Sequence, residues 1–213
     1  METPKNPLSI NYRIREGLAR MATVARVDEW NRAKALGINP TQLAILTLLE
    51  GRKHGMSVKD IAAHLGVSQP TATDSINALE RKHLVVKQPS LIDRRGIAIQ
   101  ATKDGLALLQ NEHTGDLAER AVSSLDDNEQ QDLLVSLITM IRHLQEQNAI
   151  PVQRMCVTCR FFGPFAHPKS DRPHHCHLVD AAFGQRELRV DCREHEQADP
   201  ASRAATWEAF QTG

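Results

Sequence analysis

The first 155 residues contain no cysteine, and all four thiols, Cys156, Cys159, Cys176 and Cys192, crowd into the remainder together with half of the ten histidines. No disulfide can therefore form within the larger part of the chain. Long apolar runs are also lacking. The longest, residues 43–49 and 133–140, fall far short of the roughly 20 residues that cross a bilayer, and no apolar leader opens the sequence, so no membrane span and a cytoplasmic location are expected. In that compartment four clustered cysteines point to a metal or cluster site rather than to disulfides. Net charge is absent as well: 26 Lys and Arg balance 26 Asp and Glu, which argues against a general polyanion binder. Neither a Gly-rich nucleotide loop, a paired-carboxylate frame nor a Ser/His/Asp order is found, and no enzymatic activity is expected.

What is present is a chain of 213 residues, 41% hydrophobic and 24% charged, in the soluble globular class with room for one or two domains. Its charge is unevenly distributed. Residues 50–105 carry nine basic against six acidic side chains, whereas residues 106–148 carry two against eight. Over residues 11–34, Ile14, Leu18, Met21 and Ala25 recur at helical spacing and predict one long amphipathic helix ended by Gly37. Asn39-Pro40-x-Gln42 supplies an N-cap, an N1 proline and a capping-box glutamine for a short helix through Leu49. Ser57 caps a third helix that Gly66 stops, and Ser68 opens a fourth that runs to about Lys82. Two helices joined by so tight a turn form a helix-turn-helix. Leu84-Val85-Val86 and the alternating Ile97-x-Ile99-x-Ala101 predict a hairpin with Asp93-Arg94-Arg95-Gly96 at its tip. Leu106, Leu109, Leu117, Ala121 and Leu125 then mark one helix, and Leu133, Leu137, Ile141 and Leu144 another at near-heptad spacing. Stripes this long need a partner.

The run Ser57-Val-Lys-Asp-Ile-Ala-x-x-Leu65, Val67-Ser68-x-x-Thr71, Leu79-Glu80-x-x-x-Leu84-Val85, Asp93-Arg94-Arg95-Gly96 and Thr102-x-x-Gly105 resembles the MarR family of winged helix-turn-helix regulators over roughly residues 10–147. The resemblance implies a mainly α fold, long terminal helices that form a homodimer, and binding of double-stranded DNA at a palindromic operator. A major groove about 12 Å wide admits the helix that begins at Ser68, and Ser68, Gln69, Thr71, Thr73 and Ser75 are the candidate contacts. Arg94 and Arg95 at the wing tip suit the adjacent minor groove. Asp74 departs from the family, which often carries a basic residue at mid-helix, and His83 replaces a glycine before Leu84. The resemblance also implies a small aromatic ligand in the cleft between the dimer helices and the DNA-binding lobe.

The segment 149–213 lies outside the family pattern and forms a second unit beside 1–148. Its cysteines are spaced C-x2-C-x16-C-x15-C. A Cys-x-x-Cys knuckle directs two thiolates at one centre, two later cysteines complete four-coordination, and sulfur-rich sites of this kind favour zinc or an iron-sulfur cluster. A zinc ribbon would draw its second knuckle from Cys192-x-x-His195, making His195 the alternative ligand and leaving Cys176 over. Four single cysteines fit a 4Fe-4S cluster, and the spacing resembles that of high-potential iron-sulfur proteins. Phe161, Phe162, Phe165 and Phe183 are expected to form a small core around the ligand, and His167, His174, His175 and His177 to be surface or hydrogen-bonded residues. The two modules together suggest a regulator whose tail senses redox state, oxygen, nitric oxide or iron supply. The alternative is a ligand-released regulator with a structural zinc tail.

Overall fold

The computed structural model describes residues 9–90, 96–110 and 117–213. Helix α1 (Ile10–Ala35) starts where the Ser9 hydroxyl accepts from the Tyr12 amide, and the chain turns out of it through Gly37 at φ +67°. Helix α2 (Pro40–Leu49) begins with the full reciprocal capping box, Asn39 bonding the Gln42 amide and Gln42 bonding back. Asn39→Ala removes that cap and is expected to lower stability by about 1 kcal/mol, read as a shifted urea midpoint with an unchanged slope.

Helix α3 (Val58–Leu65) closes at Gly66 in the left-handed conformation, and Ser68 caps α4 (Gln69–Arg81) by accepting from the Thr71 amide. His83 takes φ +59°, the left-handed geometry its place before Leu84 demands, and its amide donates to Glu80. Strands β1 (Val85–Pro89) and β2 (Ile97–Ala101) pair antiparallel, with Val85 opposite Ala101 and Pro89 opposite Ile97. Met56 adds a bridge to Ile99. Leu43, Leu46 and Leu49 of α2, Ile61 of α3, Ile76 and Leu79 of α4, and Ile99 of β2 share one core, each side chain contributing roughly 1.5–3 kcal/mol of burial.

The single helix expected across Leu106 and Leu125 is two described segments, α5 (Lys103–Leu109) and α6 (Leu117–Val122). Helix α5 stops because the Gln110 amide donates to Ala107, three residues back, tightening the last turn. Residues 111–116 lie outside the described ones. Helix α6 packs on α1, where the Asp28 carboxylate accepts from the Ala118 amide at 3.0 Å.

Helix α7 (Asp127–Glu146) divides its apolar positions between two adjoining faces. Leu134, Ile138 and Ile141 belong to a second core with Met155, Val157, Phe162, Leu188, Trp207 and Phe210, whereas Leu133 and Leu144 stay exposed. The segment after Asn148 supplies the surface that covers the Ile138 face. It forms a small antiparallel sheet, β3 (Phe162–Gly163), β4 (His174–Cys176) and β5 (Ala181–Phe183), in that order. Helix α8 (Pro200–Thr212) follows and docks Trp207 and Phe210. The second core thus crosses the boundary drawn at 148. No helix among the described residues is long and apolar enough to cross a membrane.

Candidate nucleic-acid interface and thiol site

Helical geometry divides α4 into two faces. Ala72, Ser75, Ile76 and Leu79, spaced three and four apart, are buried, while Ser68, Gln69, Thr71, Thr73 and Asp74 are exposed. Ser75 is therefore corrected from a candidate base contact to a core-facing residue, 9% exposed; a hydroxyl three residues after Ala72 falls on the same inward face. Of the other candidates, Ser68 uses its hydroxyl in the N-cap and lies 2.8 Å from the Thr71 hydroxyl. Thr73 donates to the Gln69 carbonyl. Gln69 thus carries the long polar side chain at the helix start, where the positive end of the helix dipole favours phosphate. Asp74 lies on the same outward surface and opposes that field locally.

The wing is tied to this helix by a residue that periodicity alone did not single out. Lys87 on β1 places Nζ 2.6 Å from Asn77 Oδ1 and 2.7 Å from Glu80 Oε2, so the hairpin and α4 are fixed relative to one another. The Ser90 amide donates to Gly96 across the base of the tip. Arg94 and Arg95 themselves lie outside the described residues.

In the tail, Cys156, Cys159, Cys176 and Cys192 line one apolar cavity of about 30 Å³, walled by Phe161, Phe162, Leu178 and Phe183. Three of them, Cys156, Cys176 and Cys192, also border an adjoining groove of about 230 Å³. The local fold explains the gathering. Residues 156–158 form a 3-10 turn that sets Cys156 and Cys159 side by side, Cys176 opposes Phe162 in the sheet, and the Cys192 amide donates to the Arg154 carbonyl at 2.8 Å. Burial pushes the Cys156 thiol up to about 11. The Arg189 amide lies 3.3 Å from Cys156 Sγ and its guanidinium 3.8 Å from Cys192 Sγ. Arg189, too, is a residue the spacing did not point to. Among the described residues no three His, Cys, Asp or Glu side chains are placed to hold a single metal ion.

His195 does not line that cavity. Its Nε2 lies 3.0 Å from the Thr158 hydroxyl, and burial, chiefly, lowers its pKa. His174 is fully buried among Phe162, Phe165, Phe183 and Phe210, with Nε2 2.6 Å from Gln185 Oε1. Here, too, desolvation lowers the pKa. His167 and His175 meet at 3.1 Å, and His175 also reaches Asp180.

A larger cleft of about 300 Å³ lies between the winged lobe and the tail, bordered by Arg32 of α1, Leu43 and Leu48 of α2, Leu65 of α3, and Arg154 and Asp191. Arg32 Nε is buried there without a hydrogen-bond partner. Desolvation lowers the Arg52 pKa, and the Arg154 charge lowers it further.

Comparison with known proteins adds an independent line. Residues 36–96 match the model of the MarR family. The HTH-type transcriptional regulator MhqR of Bacillus subtilis (strain 168) is 30% identical over 96 residues, which cover 44% of this chain and 65% of that protein, so the chain spans somewhat less than two thirds of this relative. A MarR transcriptional regulator from Methanosarcina mazei Go1 superposes with a TM-score of 0.53 at 19% identity, covering 63% of this chain and 98% of that one. That likeness shows the fold. These matches are to transcription regulators, not enzymes.

Proposed function

We propose that this chain, whose residues 36–96 carry a MarR-family winged helix, is a DNA-binding transcriptional regulator that acts as a homodimer on a palindromic duplex site. The observation that carries the reading is the exposed outer face of α4, begun by a capped helix start and held beside the wing by Lys87. In a major groove, Gln69, Thr71 and Thr73 would meet base edges and phosphates, and the wing residues Arg94 and Arg95 would reach the next minor groove. Asp74 would accept from cytosine N4 or be kept away from phosphate. Dimerisation is supported by apolar side chains that a single chain leaves exposed: Ile14, Leu18, Met21 and Trp30 on α1, and Leu133, Met140 and Leu144 on α7.

The finer reading is that the tail holds an iron-sulfur cluster, of 4Fe-4S type, through Cys156, Cys159, Cys176 and Cys192, and that its state tunes DNA binding. What supports it is the shared, aromatic-walled cavity, the soft four-sulfur donor set, and the Arg189 N–H groups near sulfur, which can donate to sulfur there. The engagement of His195 with Thr158 argues for sulfur rather than histidine as the fourth donor. When bound, such a cluster would supply one-electron and oxygen-sensitive chemistry; the protein supplies the thiolates and limits solvent access.

The cleft favours a second reading, release from DNA by a small aromatic acid with the tail as a zinc staple, because Arg32 Nε is buried there without a partner. Ligand-dependent release with unchanged metal content would select it.

Duplexes selected from a random library by the full-length protein provide the test. Arg95→Ala is expected to weaken binding and to flatten the slope of log affinity against log salt by about 1, the loss of one phosphate-neutralising charge. An unaltered slope removes the wing from the interface, and failure to select any duplex overturns the regulator. Iron, sulfide and zinc analysis of protein purified without oxygen decides the cofactor.

A further inference from the structure

Cys192 is flanked by two residues that both lead to the same point of the DNA-binding lobe. On one side, Asp191 is clasped by Arg154, whose Nε and Nη2 reach the two carboxylate oxygens at 2.6 and 2.9 Å. The third nitrogen of that guanidinium, Nη1, donates to the Glu50 carbonyl at 2.7 Å, and the Arg154 carbonyl accepts from the Cys192 amide. On the other side, Arg193 reaches Glu50 Oε2 at 2.7 Å. Glu50 is the C-cap of α2. The next residue, Gly51, has φ +74°, and a Cβ there would lie 2.7 Å from the Arg193 Cβ, so the two segments approach as closely as only glycine permits.

The far side of the junction is the recognition element. Leu46 and Leu49, in the last turn of α2, share a core with Ile76 and Leu79 of α4. The near side is equally constrained. Arg154 is 7% exposed, so its buried guanidinium relies on Asp191 as its charge partner, and Asp191 cannot move without its neighbour Cys192. A planar two-point fork of this kind tolerates little displacement.

We infer that Arg154, Asp191, Arg193 and Glu50 form a linkage that couples the four-cysteine site to the end of α2 and through it to α4. The inference rests on reading those cysteines as a ligand site. Its consequence is that whatever the thiols bind or lose shifts the recognition helix, and by thermodynamic reciprocity DNA binding shifts the thiol site. None of the four lines the four-cysteine cavity, so toward that site they are positioning residues.

Hydrogen exchange on the full-length protein tests the linkage without knowledge of the operator. Exchange is followed before and after an organomercurial caps the thiols and displaces anything they hold. In the unaltered protein, amides of residues 40–50 and 69–81 are expected to change exchange rate at least about fivefold, the lower end of ordinary allosteric coupling. In Arg193→Ala and Glu50→Gln the thiols are capped to the same extent and the tail amides respond as before, but the change in residues 40–50 and 69–81 is reduced, since the Arg193 arm is cut while Arg154 still holds the Glu50 carbonyl. Arg193 is 60% exposed at its side chain, so its truncation leaves the fold intact. No change in the unaltered protein, or the same change in both variants, overturns the linkage. Metal and sulfide analysis before capping reports separately on the ligand site: protein free of both that still shows the coupled response sinks the cofactor and leaves the linkage standing.

Discussion

Gly105→Ala is expected to destabilise the winged lobe by roughly 3 kcal/mol or more, at the upper end of what overpacking a core ordinarily costs. Gly105 is buried at the third position of α5, where its amide donates to the Thr102 hydroxyl at 3.0 Å. The same hydroxyl donates to the His83 carbonyl at 2.8 Å, and the Thr102 amide donates to Leu84. This double tie draws α5 onto the start of β1, so a Cβ at 105 would be driven into the Leu84 carbonyl oxygen, with the Leu84 carbonyl carbon at 3.0 Å and Leu46 Cδ2 at 3.2 Å behind it. Backbone cannot swing aside as a side-chain tip can. Thermal unfolding followed by helical circular dichroism should show a lower midpoint, and the proposed duplex binding should be lost well below the unaltered protein's melting range. A midpoint within a degree of the original would show that α5 can lift away from Leu84 without penalty.

The second large effect is expected at the tail. If the four thiols hold the proposed ligand, Cys159→Ser removes one of its donors and places a hydroxyl in a site only 9% exposed, against Phe161 and Phe162. A structural zinc contributes on the order of 10 kcal/mol to the folding of a small module, and a bound cluster would tie the same four chain segments. That exceeds or matches the whole stability of many domains. Loss of ligand should therefore unfold the tail while the winged lobe persists. Trp207, stacked on Phe210 at 5.6 Å between centroids, should shift its emission to the red, and a protease should cut near residues 149–153 to leave the winged lobe as a stable fragment. Trp30 is already 61% exposed and contributes little to that shift. Retained protease resistance with no bound metal would mean that Ile138, Met155, Val157 and Trp207 hold the tail by packing alone.

These two expectations fall on either side of what local sequence specifies. The starts of α2, α3 and α4 were legible because Asn39, Ser57 and Ser68 each bond an amide three residues on, an interaction complete within a few residues. The hairpin was legible from the alternation at Ile97, Ile99 and Ala101, but its register was not, and Ile97 is exposed while Ala98 is buried. Ser75 was misplaced because residue type was weighed above helical phase: a hydroxyl near a helix start suits DNA, yet its angular position matches Ala72 and Leu79. The stripe of α7 was legible only in part: Ile141 joins the tail core, while Leu133 and Leu144 stay exposed. Leu133, Leu134, Leu137, Ile138, Ile141 and Leu144 offer apolar positions on two adjoining faces, and periodicity cannot say which face a distant segment will cover. Docking of Met155, Trp207 and Phe210 selected the Ile138 face and left Leu133 and Leu144 exposed.

The sequence by itself determined the starts of α2, α3 and α4, the glycine stop after α3, the two paired strands of the wing and the clustering of the four cysteines, because each depends on contacts within a few residues or on residue type. Only the tertiary structure decided which faces are buried, that the four thiols line one cavity while His195 turns to Thr158, and that Arg154 and Arg193 join Cys192 to Glu50. Those contacts link residues more than a hundred positions apart, or elements whose mutual packing depends on shape and volume, and neither leaves a periodic trace along the chain.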